Sequence, residues 1–392
     1  MNDSPSPAIA PPPLFHDGPV TAAAWQQYGA PQALHGLQHY QYGWLPPPVA
    51  VTGFEVVVPE AVVLDGHGVR SVLRLRCGLG DQAWQADVLI VRPRQTEGPV
   101  PVPVITGLNF RGNHTTCLDP DIPLHTAYIE GTTPRGEQAR RWDFAQAIQA
   151  GYAVATLCCA EIHVDSTDSA RIDAASGINR LWGRLRQDQR EAHSFGAIAA
   201  WAWGLQRLVD GLTTLPWVNA QRIGVMGHSR LGKAALLACA SDPRIAWCID
   251  NQSGTAGGAL SRKSADTDGA ETLAQVARFQ HWFCPAFQDY AANPQRLPYD
   301  QHHLLAAIAP RPLLLAYAVD DHWGDPPGAF HAARLAAPAW AISGFDPALS
   351  DQLPDLNHVV GQRLAFHLRP GGHDVLPQDW TTYLHWLAAI WP

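Results

Sequence analysis

The stretch Arg222-Ile-Gly-Val-Met-Gly-His-Ser-Arg-Leu-Gly-Lys233 decides the fold of this 392-residue sequence. Its apolar first half predicts a buried strand, and the Ala- and Leu-rich residues 234–240 that follow predict a helix. A serine at the tip of a sharp turn between strand and helix is the arrangement of a nucleophile elbow, which would hold the Ser229 hydroxyl above the sheet. The usual pattern is G-x-S-x-G. Here Gly232 comes one residue late, so the motif matches only in part.

The composition is that of a globular chain without a nucleic-acid or membrane function. Hydrophobic residues make up 46% of the sequence and the formal net charge is −8. There is no basic run, no motif that reads DNA or RNA, and no apolar run long enough to span a bilayer. Because the seven cysteines have no metal-ligand spacing, we predict small core residues and no metal site, and their oxidation state stays open.

The order of the predicted elements indicates an α/β-hydrolase fold. Residues 50–92 alternate with a period of two, which predicts antiparallel strands at the N-terminal edge of a sheet. From residue 102, apolar strands alternate with helices, which predicts a mostly parallel central sheet with helices on both faces. The predicted strands of this second part are 102–106, 152–157, 223–226, 245–249, 312–317 and 364–368. The predicted helices of the chain are 22–28, 31–42, 140–150, 195–211, 231–240 and 380–391.

We interpret residues 18–392 as a single catalytic domain, since no internal repeat or second domain is visible. Residues 1–17 are rich in proline and are predicted to be a disordered leader. They lack the basic and apolar regions of a signal peptide, so the sequence by itself predicts a cytoplasmic protein. Residues 254–300 and 340–362 carry few periodic signals, and we expect both to be insertions over the rim of the site.

A serine, an acid and a histidine follow one another in the order that this fold requires for a catalytic triad. The strand 312–319 ends in Asp320 and Asp321, and the strand 363–369 ends in Pro370-Gly-Gly-His373. In acyl transfer His373 would take the proton of Ser229 as general base and return it to the leaving alcohol. Asp321 would orient the imidazole, with Asp320 as the neighbouring candidate.

These motifs resemble those of the glucuronoyl esterases, carbohydrate esterase family 15. Residues 227–233, Gly-His-Ser-Arg-Leu-Gly-Lys, are similar to the G-x-S-R-x-G-K elbow of that family. The other segments that resemble family motifs are 18–21, 108–115, 251–254, 257–262, 269–272, 281–284, 321–326 and 370–374. The resemblance therefore extends over residues 18–392.

The resemblance implies a serine esterase that cleaves esters of 4-O-methyl-glucuronic acid, as between lignin alcohols and glucuronoxylan. By matching position, Arg230 would contribute its N–H and its side chain to the oxyanion, and Lys233 would bind sugar hydroxyls. Glu271 would take the family's hydroxyl-binding position, and Trp323 would lie beside the sugar ring. The resemblance implies no metal or organic cofactor and a secreted or periplasmic location. We expect a monomer whose partner is the ester fragment itself.

The sequence departs from the family at Gln252, where many members carry a catalytic glutamate. An amide cannot stabilise an imidazolium as a charge, so we expect Asp321 to serve. Two other functions stay open: an esterase for acetyl or simple alkyl esters, and a carbohydrate-binding protein with a weakened triad.

Each binding residue also has an ordinary structural interpretation. Lys233 could be a surface lysine, Glu271 a first-turn acid of a helix capped by Asp268, and Trp323 a packing residue. Other polar positions also read as structural. Asn109 and Arg111 would shape a turn or the oxyanion loop, Asp325 would cap a helix, and His163, His228, His281 and His322 would be structural.

Overall fold

A computed structural model of the chain gives the architecture. It describes residues 10–15, 20–78, 83–95, 100–125, 133–168, 171–172, 177–178, 190–263 and 269–391. Most of the predicted leader 1–17 lies outside these residues. Within them, no helix is both long enough and apolar enough to cross a membrane.

Ten strands form one sheet in the order β1-β2-β3-β5-β4-β6-β7-β8-β10-β9. The strands are β1 (Val51–Val63), β2 (Gly68–Cys77), β3 (Trp84–Pro93), β4 (Val102–Asn109), β5 (Ala153–Cys158), β6 (Val218–His228), β7 (Cys248–Asn251), β8 (Leu313–Ala318), β9 (Val359–Gly361) and β10 (Leu364–Arg369). The first three strands are antiparallel, and β3 pairs antiparallel with β5. From β5 to β10 the neighbours are parallel. The predicted α/β-hydrolase sheet with an antiparallel N-terminal edge is therefore confirmed.

Helices cover both faces of the sheet because its central strands are apolar on both sides. Leu313 and Leu315 belong to one buried cluster, and Leu314 between them belongs to a second cluster on the opposite face. The α-helices are α1 (Ala22–Ala24), α2 (Ala30–Leu37), α3 (Phe144–Gln149), α4 (Ala197–Leu212), α5 (Arg230–Ser241), α6 (Leu273–Val276), α7 (Gln301–Ala306), α8 (Pro326–Ala336), α9 (Pro338–Ala341) and α10 (Pro377–Ile390). Helix α4 is buried at every position except Asp210, which fits a helix enclosed between the sheet and its neighbours.

Two details differ from the sequence prediction. The helical segment at the N-terminus runs without interruption from Ala22 to Tyr42, because π-helical turns join α1 to α2 and extend α2. Residues 340–362 were expected over the rim of the site, but Val359–Gly361 instead form β9, which pairs antiparallel with β10. A three-residue strand gives no readable period, and here it covers the open edge of β10. All seven cysteines are free thiols, and all but Cys117 are buried.

Candidate active site

Ser229 occupies the sharp turn between β6 and α5, in a backbone conformation that side chains rarely adopt. Its φ is 57° and its ψ is −132°, which is the strained geometry of a nucleophile elbow. The turn is tight on both sides. A Cβ on Gly227 would lie 2.2 Å from the carbonyl oxygen of Leu231, and one on Gly232 would lie 2.5 Å from Oδ1 of Asp250. The displaced second glycine is therefore required by the close approach of α5 to the end of β7.

His373 lies beside Asp321 at the carboxyl ends of β10 and β8. The Nδ1 of His373 is 2.7 Å from Oδ2 of Asp321, and the backbone N–H of Gly324 donates to the other oxygen at 3.1 Å. Asp321 is buried, whereas 39% of the His373 side chain is exposed. Asp320, the other candidate acid, accepts a hydrogen bond from the backbone N–H of Gly371 at 3.1 Å. The structure thus brings Asp321 to the imidazole and Asp320 to the loop that carries it.

Gln252 also holds the His373 loop. Its side-chain oxygen accepts the backbone N–H of Asp374 at 3.1 Å, and its backbone has a positive φ of 54°. Asp374 itself pairs with Arg140 and with Arg141 at 2.5 and 2.7 Å. Within the described residues, the buried Nε2 of Gln252 has no hydrogen-bond partner. Gln252, at the position where the resembled family often carries glutamate, therefore contacts the His373 loop as a neutral acceptor. Its side-chain NH₂ group has no partner among the described residues.

The serine and the histidine open into one pocket of about 230 Å³. It contains every site residue predicted from the sequence except the buried Asp321. The pocket is lined by Ser229, Arg230, Lys233, Gln252, Ser253, Gly254, Glu271, Phe279, Trp282, Trp323, Gly324 and His373. Phe279 and Trp282, which sequence reasoning missed, are stacked with their ring centroids 4.1 Å apart. They come from the predicted insertion 254–300, which does reach the rim.

Lys233 is not a surface lysine, because it is only 2% exposed at the floor of the pocket. Its Nζ donates to the carbonyl oxygen of Ser253 at 2.5 Å and to that of Thr255. Burial lowers the pKa of Lys233 to about 8, although Glu271 and Asp250 favour its charged form. Since an ammonium group has three donors, one N–H is left for a ligand in the pocket.

Glu271 and Trp323 both line the pocket and are joined by a backbone hydrogen bond. The backbone N–H of Glu271 donates to the carbonyl of Trp323 at 3.2 Å. The interpretation of Glu271 as a first-turn acid is wrong, because α6 begins after it with Thr272 as N-cap. Its expected cap, Asp268, lies outside the described residues. Burial raises the pKa of Glu271, and the charge of Lys233 opposes that shift.

The guanidinium of Arg230 is held by an acid and two rings that the sequence did not single out. Its Nε lies 2.6 Å from Oδ2 of Asp165. Its Cζ lies 4.6 Å from the centroid of Phe110 and 5.9 Å from that of Trp282. Asp165 follows the carboxyl end of β5, at the same edge of the sheet as the other site residues. Asp165 could have been predicted as a site residue from this position after the carboxyl end of a parallel strand.

Behind His373 lies a second, buried imidazole. The ring of His228 is 4.5 Å from that of His373, and its Nδ1 is 2.6 Å from Oδ1 of Asn251. Burial lowers the pKa of His228 well below its ordinary value, and the proximity of His373 lowers it further. Because Asn251 Oδ1 can only accept, Nδ1 of His228 carries the proton and the ring is neutral.

The remaining polar residues take part in local structure. Asn109 accepts the backbone N–H of Gly112 at 2.8 Å and so shapes the turn after β4, in which Arg111 is exposed. Asp325 caps α8, as expected. His163 is buried with Nδ1 2.7 Å from the carbonyl of Val164, whereas His322 is exposed. Among the described residues, no group of three or more His, Cys, Asp or Glu side chains could hold a metal ion.

Comparison with known sequences places the chain among esterases. Residues 143–344 match the family of fungal glucuronyl esterases. Carbohydrate esterase MZ0003, from an unknown prokaryotic organism, is 35% identical over 378 residues, which cover 93% of this chain and 85% of that protein. The 4-O-methyl-glucuronoyl methylesterase 1 of Phanerochaete chrysosporium is 34% identical over 221 residues, which are 55% of this chain and 45% of that enzyme.

Solved structures agree over the whole length. A glucuronoyl esterase from Solibacter usitatus superposes with a TM-score of 0.88 at 34% identity, over 98% of this chain and 99% of that one. A promiscuous CE15 esterase from a marine bacterial metagenome superposes with a TM-score of 0.84 at 33% identity, over 99% and 98% of the two chains. Because sequence and fold agree over nearly the entire chain, this protein belongs to carbohydrate esterase family 15, the glucuronoyl esterases.

Proposed function

We propose that the protein hydrolyses esters of glucuronic acid through an acyl-enzyme on Ser229. The Ser229 hydroxyl attacks the C6 carbonyl of the uronate while His373 takes its proton. The tetrahedral intermediate expels the alcohol, which receives that proton from His373. A water molecule, deprotonated by His373, then attacks the acyl-enzyme and releases glucuronate and free serine. Asp321 orients the imidazole and stabilises its protonated form.

The observation that carries this proposal is the contact of 2.7 Å between His373 Nδ1 and Asp321, at the mouth of the pocket that Ser229 lines. This contact fixes the proton on Nδ1, so that Nε2 is free to act as the base. The acid is buried and tied to the Gly324 N–H, which keeps its orientation fixed.

The oxyanion would be stabilised at the N-terminus of α5. Arg230 is the first residue of that helix, so its backbone N–H belongs to the end of the helix that favours negative charge. Its guanidinium, paired with Asp165, belongs to the same pocket and offers further N–H donors to the oxyanion. Preorganised donors of this kind contribute about 10²- to 10³-fold to kcat each.

The sugar ring would lie between Trp323 and the Lys233–Glu271 side of the pocket. Trp323 offers an exposed ring face, and the two charged groups offer a donor and an acceptor for hydroxyls. At about 230 Å³ the pocket is smaller than the range of about 300–1,000 Å³ for drug-sized ligands. This size favours one sugar residue, with the rest of a polysaccharide outside. Fragments of glucuronoxylan esterified to lignin alcohols fit that requirement, and residues 18–392 would form a single catalytic domain that acts on them as a monomer.

A second candidate is an esterase of broader scope that also accepts acetyl or alkyl esters. It is favoured by the relative described as promiscuous, which superposes at a TM-score of 0.84. The two candidates differ in what Lys233, Glu271 and Trp323 contribute, because an acetyl ester has no sugar hydroxyls to bind.

The test is hydrolysis of benzyl glucuronate compared with that of p-nitrophenyl acetate, with Ser229→Ala as the control. We expect a higher kcat/KM on the glucuronate and no turnover of either ester by the variant. A clear preference for the acetate would reject the uronate specificity. Turnover that survives in Ser229→Ala would reject the mechanism, and binding of glucuronate without turnover by the wild type would indicate a carbohydrate-binding protein.

A further inference from the structure

Asp165 is a carboxylate at the edge of the active site, and two of its three partners, Arg230 and Trp282, line the pocket. Its Oδ2 lies 2.6 Å from Nε of Arg230, and its Oδ1 lies 2.6 Å from Nε2 of His281 and 2.7 Å from Nε1 of Trp282. Its side chain is 26% exposed. One carboxylate therefore connects the loop after β5, the elbow, and the stacked rings of Phe279 and Trp282 that line the pocket.

The charge of Asp165 is stable in this position. Burial by itself would raise the pKa of the carboxyl, but the hydrogen bond from His281 and the charge of Arg230 outweigh it and lower the pKa to about 2. The group is therefore ionised throughout the pH range in which esterases work. A permanent negative charge, rather than a proton donor or acceptor, is what Asp165 supplies.

The contacts of Arg230 show what that charge can do. An arginine side chain has several rotatable bonds, and its position depends on the contacts it makes. Here the Nε lies 2.6 Å from Oδ2 of Asp165, and the guanidinium carbon lies over the rings of Phe110 and Trp282, 4.6 and 5.9 Å from their centroids. The contact at Nε is an ion pair without hydrogen-bond geometry, and the guanidinium carries four further N–H donors on its terminal nitrogens that can reach a bound group.

We propose that Asp165 is a positioning residue that fixes the guanidinium of Arg230 where the oxyanion develops. The proposal rests on the role of Arg230 in the proposed function. Since Asp165 also holds the indole of Trp282, it fixes the ring against which the guanidinium packs. Asp165 acts through Arg230 and does not contact the ester.

The variant Asp165→Asn tests this proposal because it keeps the shape and changes one contact. The amide oxygen can still accept from His281 and Trp282. The amide NH₂ then faces Nε of Arg230, and the ion pair that holds the guanidinium is lost. We expect kcat on benzyl glucuronate to fall on the order of 10- to 100-fold with KM within about threefold, as for loss of a contact made in the transition state. Asp165→Glu, which restores the charge, should recover part of kcat.

A double-mutant cycle with Arg230→Ala separates positioning from a general structural effect. If Asp165 acts through Arg230, the double variant loses no more activity than Arg230→Ala alone. The matched control is Asp210→Asn, since Asp210 is likewise an aspartate paired with arginine, in its case Arg207 and Arg244, but lies outside the pocket. That control should keep full kcat. Melting temperatures of all variants identify any that fail to fold, in which case Asp165→Ser, which also removes the charge, takes the place of Asp165→Asn in the cycle.

The outcomes are distinct. Losses that multiply in the double variant, a change in KM alone, or a kcat within twofold of the wild type would each overturn the positioning role. If the wild type hydrolyses p-nitrophenyl acetate but not benzyl glucuronate, the uronate specificity fails. The cycle is then measured on the acetate, because an oxyanion forms on either ester.

Discussion

Replacement of Asp321 by asparagine should inactivate the enzyme by reversing the protonation of His373. The carboxylate of Asp321 accepts the Gly324 N–H on Oδ1 and faces His373 Nδ1 with Oδ2, at 2.7 Å. In Asp321→Asn the amide oxygen takes the Gly324 bond, so the NH₂ group faces Nδ1. Nδ1 must then accept, the proton moves to Nε2, and the imidazole cannot act as base toward Ser229.

The expected size of the effect follows from that change of tautomer. An asparagine in the corresponding position of other triad enzymes lowers kcat by about 10⁴-fold, and we expect the same order here. This corresponds to about 5.4 kcal/mol of transition-state stabilisation at 1.36 kcal/mol per tenfold. The measurement is kcat for benzyl glucuronate at saturating substrate, with the melting temperature as a check of folding. KM should change little, since Asp321 lies behind the imidazole and away from the sugar.

The control is Asp320→Asn, one residue earlier. Asp320 bonds the backbone N–H of Gly371, and an amide oxygen can accept that bond equally well. We therefore expect Asp320→Asn to keep kcat within about threefold of the wild type, a change of less than about 1 kcal/mol in transition-state stabilisation. A loss below tenfold for Asp321→Asn, or a larger loss for Asp320→Asn, would refute the assignment of the acid.

Three further changes test the pocket. Gly232→Ala should lower the free energy of unfolding by about 1–3 kcal/mol, since its Cβ would lie 2.5 Å from Asp250. The control Gly36→Ala, also in a helix but with its nearest neighbour at 3.7 Å, should raise the free energy of unfolding. Thermal or urea unfolding measures both variants, and equal effects would contradict the close approach of Gly232 to Asp250. Burial lowers the pKa of Lys233 from 10.5 to about 8, so between these two pH values the unfolded chain binds a proton that the folded chain does not. The unfolding free energy of the wild type relative to Lys233→Met should therefore rise from pH 8 to pH 10.5, and KM for benzyl glucuronate should rise above pH 8. A flat difference in unfolding free energy across that range would reject the buried, ligand-facing ammonium. Trp323→Ala should raise KM for benzyl glucuronate about tenfold and leave p-nitrophenyl acetate within twofold, and equal changes on both esters would remove Trp323 from the sugar site.

The fold and the candidate triad could be predicted because both depend on local order along the chain. Apolar strands of a parallel sheet are continuous runs, and their carboxyl ends meet at one edge, which predicts that Ser229, Asp321 and His373 lie close together. In the structure His373 lies 2.7 Å from Asp321 and lines one pocket with Ser229. What could not be predicted depends on contacts between distant segments. The three partners of Asp165 lie 65, 116 and 117 residues away along the chain, and no local pattern records such contacts.

Lys233 shows the same limit in another way. Its position on the first turn of α5 could be predicted from the sequence. The sequence could not show that the carbonyl oxygens of Ser253 and Thr255 lie over its ammonium group and accept its hydrogen bonds. Burial then follows from tertiary structure, and the lowered pKa follows from burial. A residue expected to be a simple ligand for hydroxyls is thus also a support of the loop that forms the pocket floor. For this reason Lys233→Met should reduce substrate binding and leave the carbonyls of Ser253 and Thr255 without their donor.

Gln252 bears on how this enzyme divides the tasks of a triad acid. A carboxylate beside the catalytic histidine has to supply charge and also keep the histidine loop in place. Here the charge comes from Asp321, 2.7 Å from Nδ1, while Gln252 accepts the backbone N–H next to His373, at Asp374. Because the amide is neutral, it adds no second negative charge beside Asp321, and the positive charge of the imidazolium is balanced by one buried acid. Under the proposed mechanism, loss of the Asp321 charge should therefore stop the reaction. A change at Gln252 to a residue that cannot accept should instead loosen the loop and lower kcat by a smaller factor.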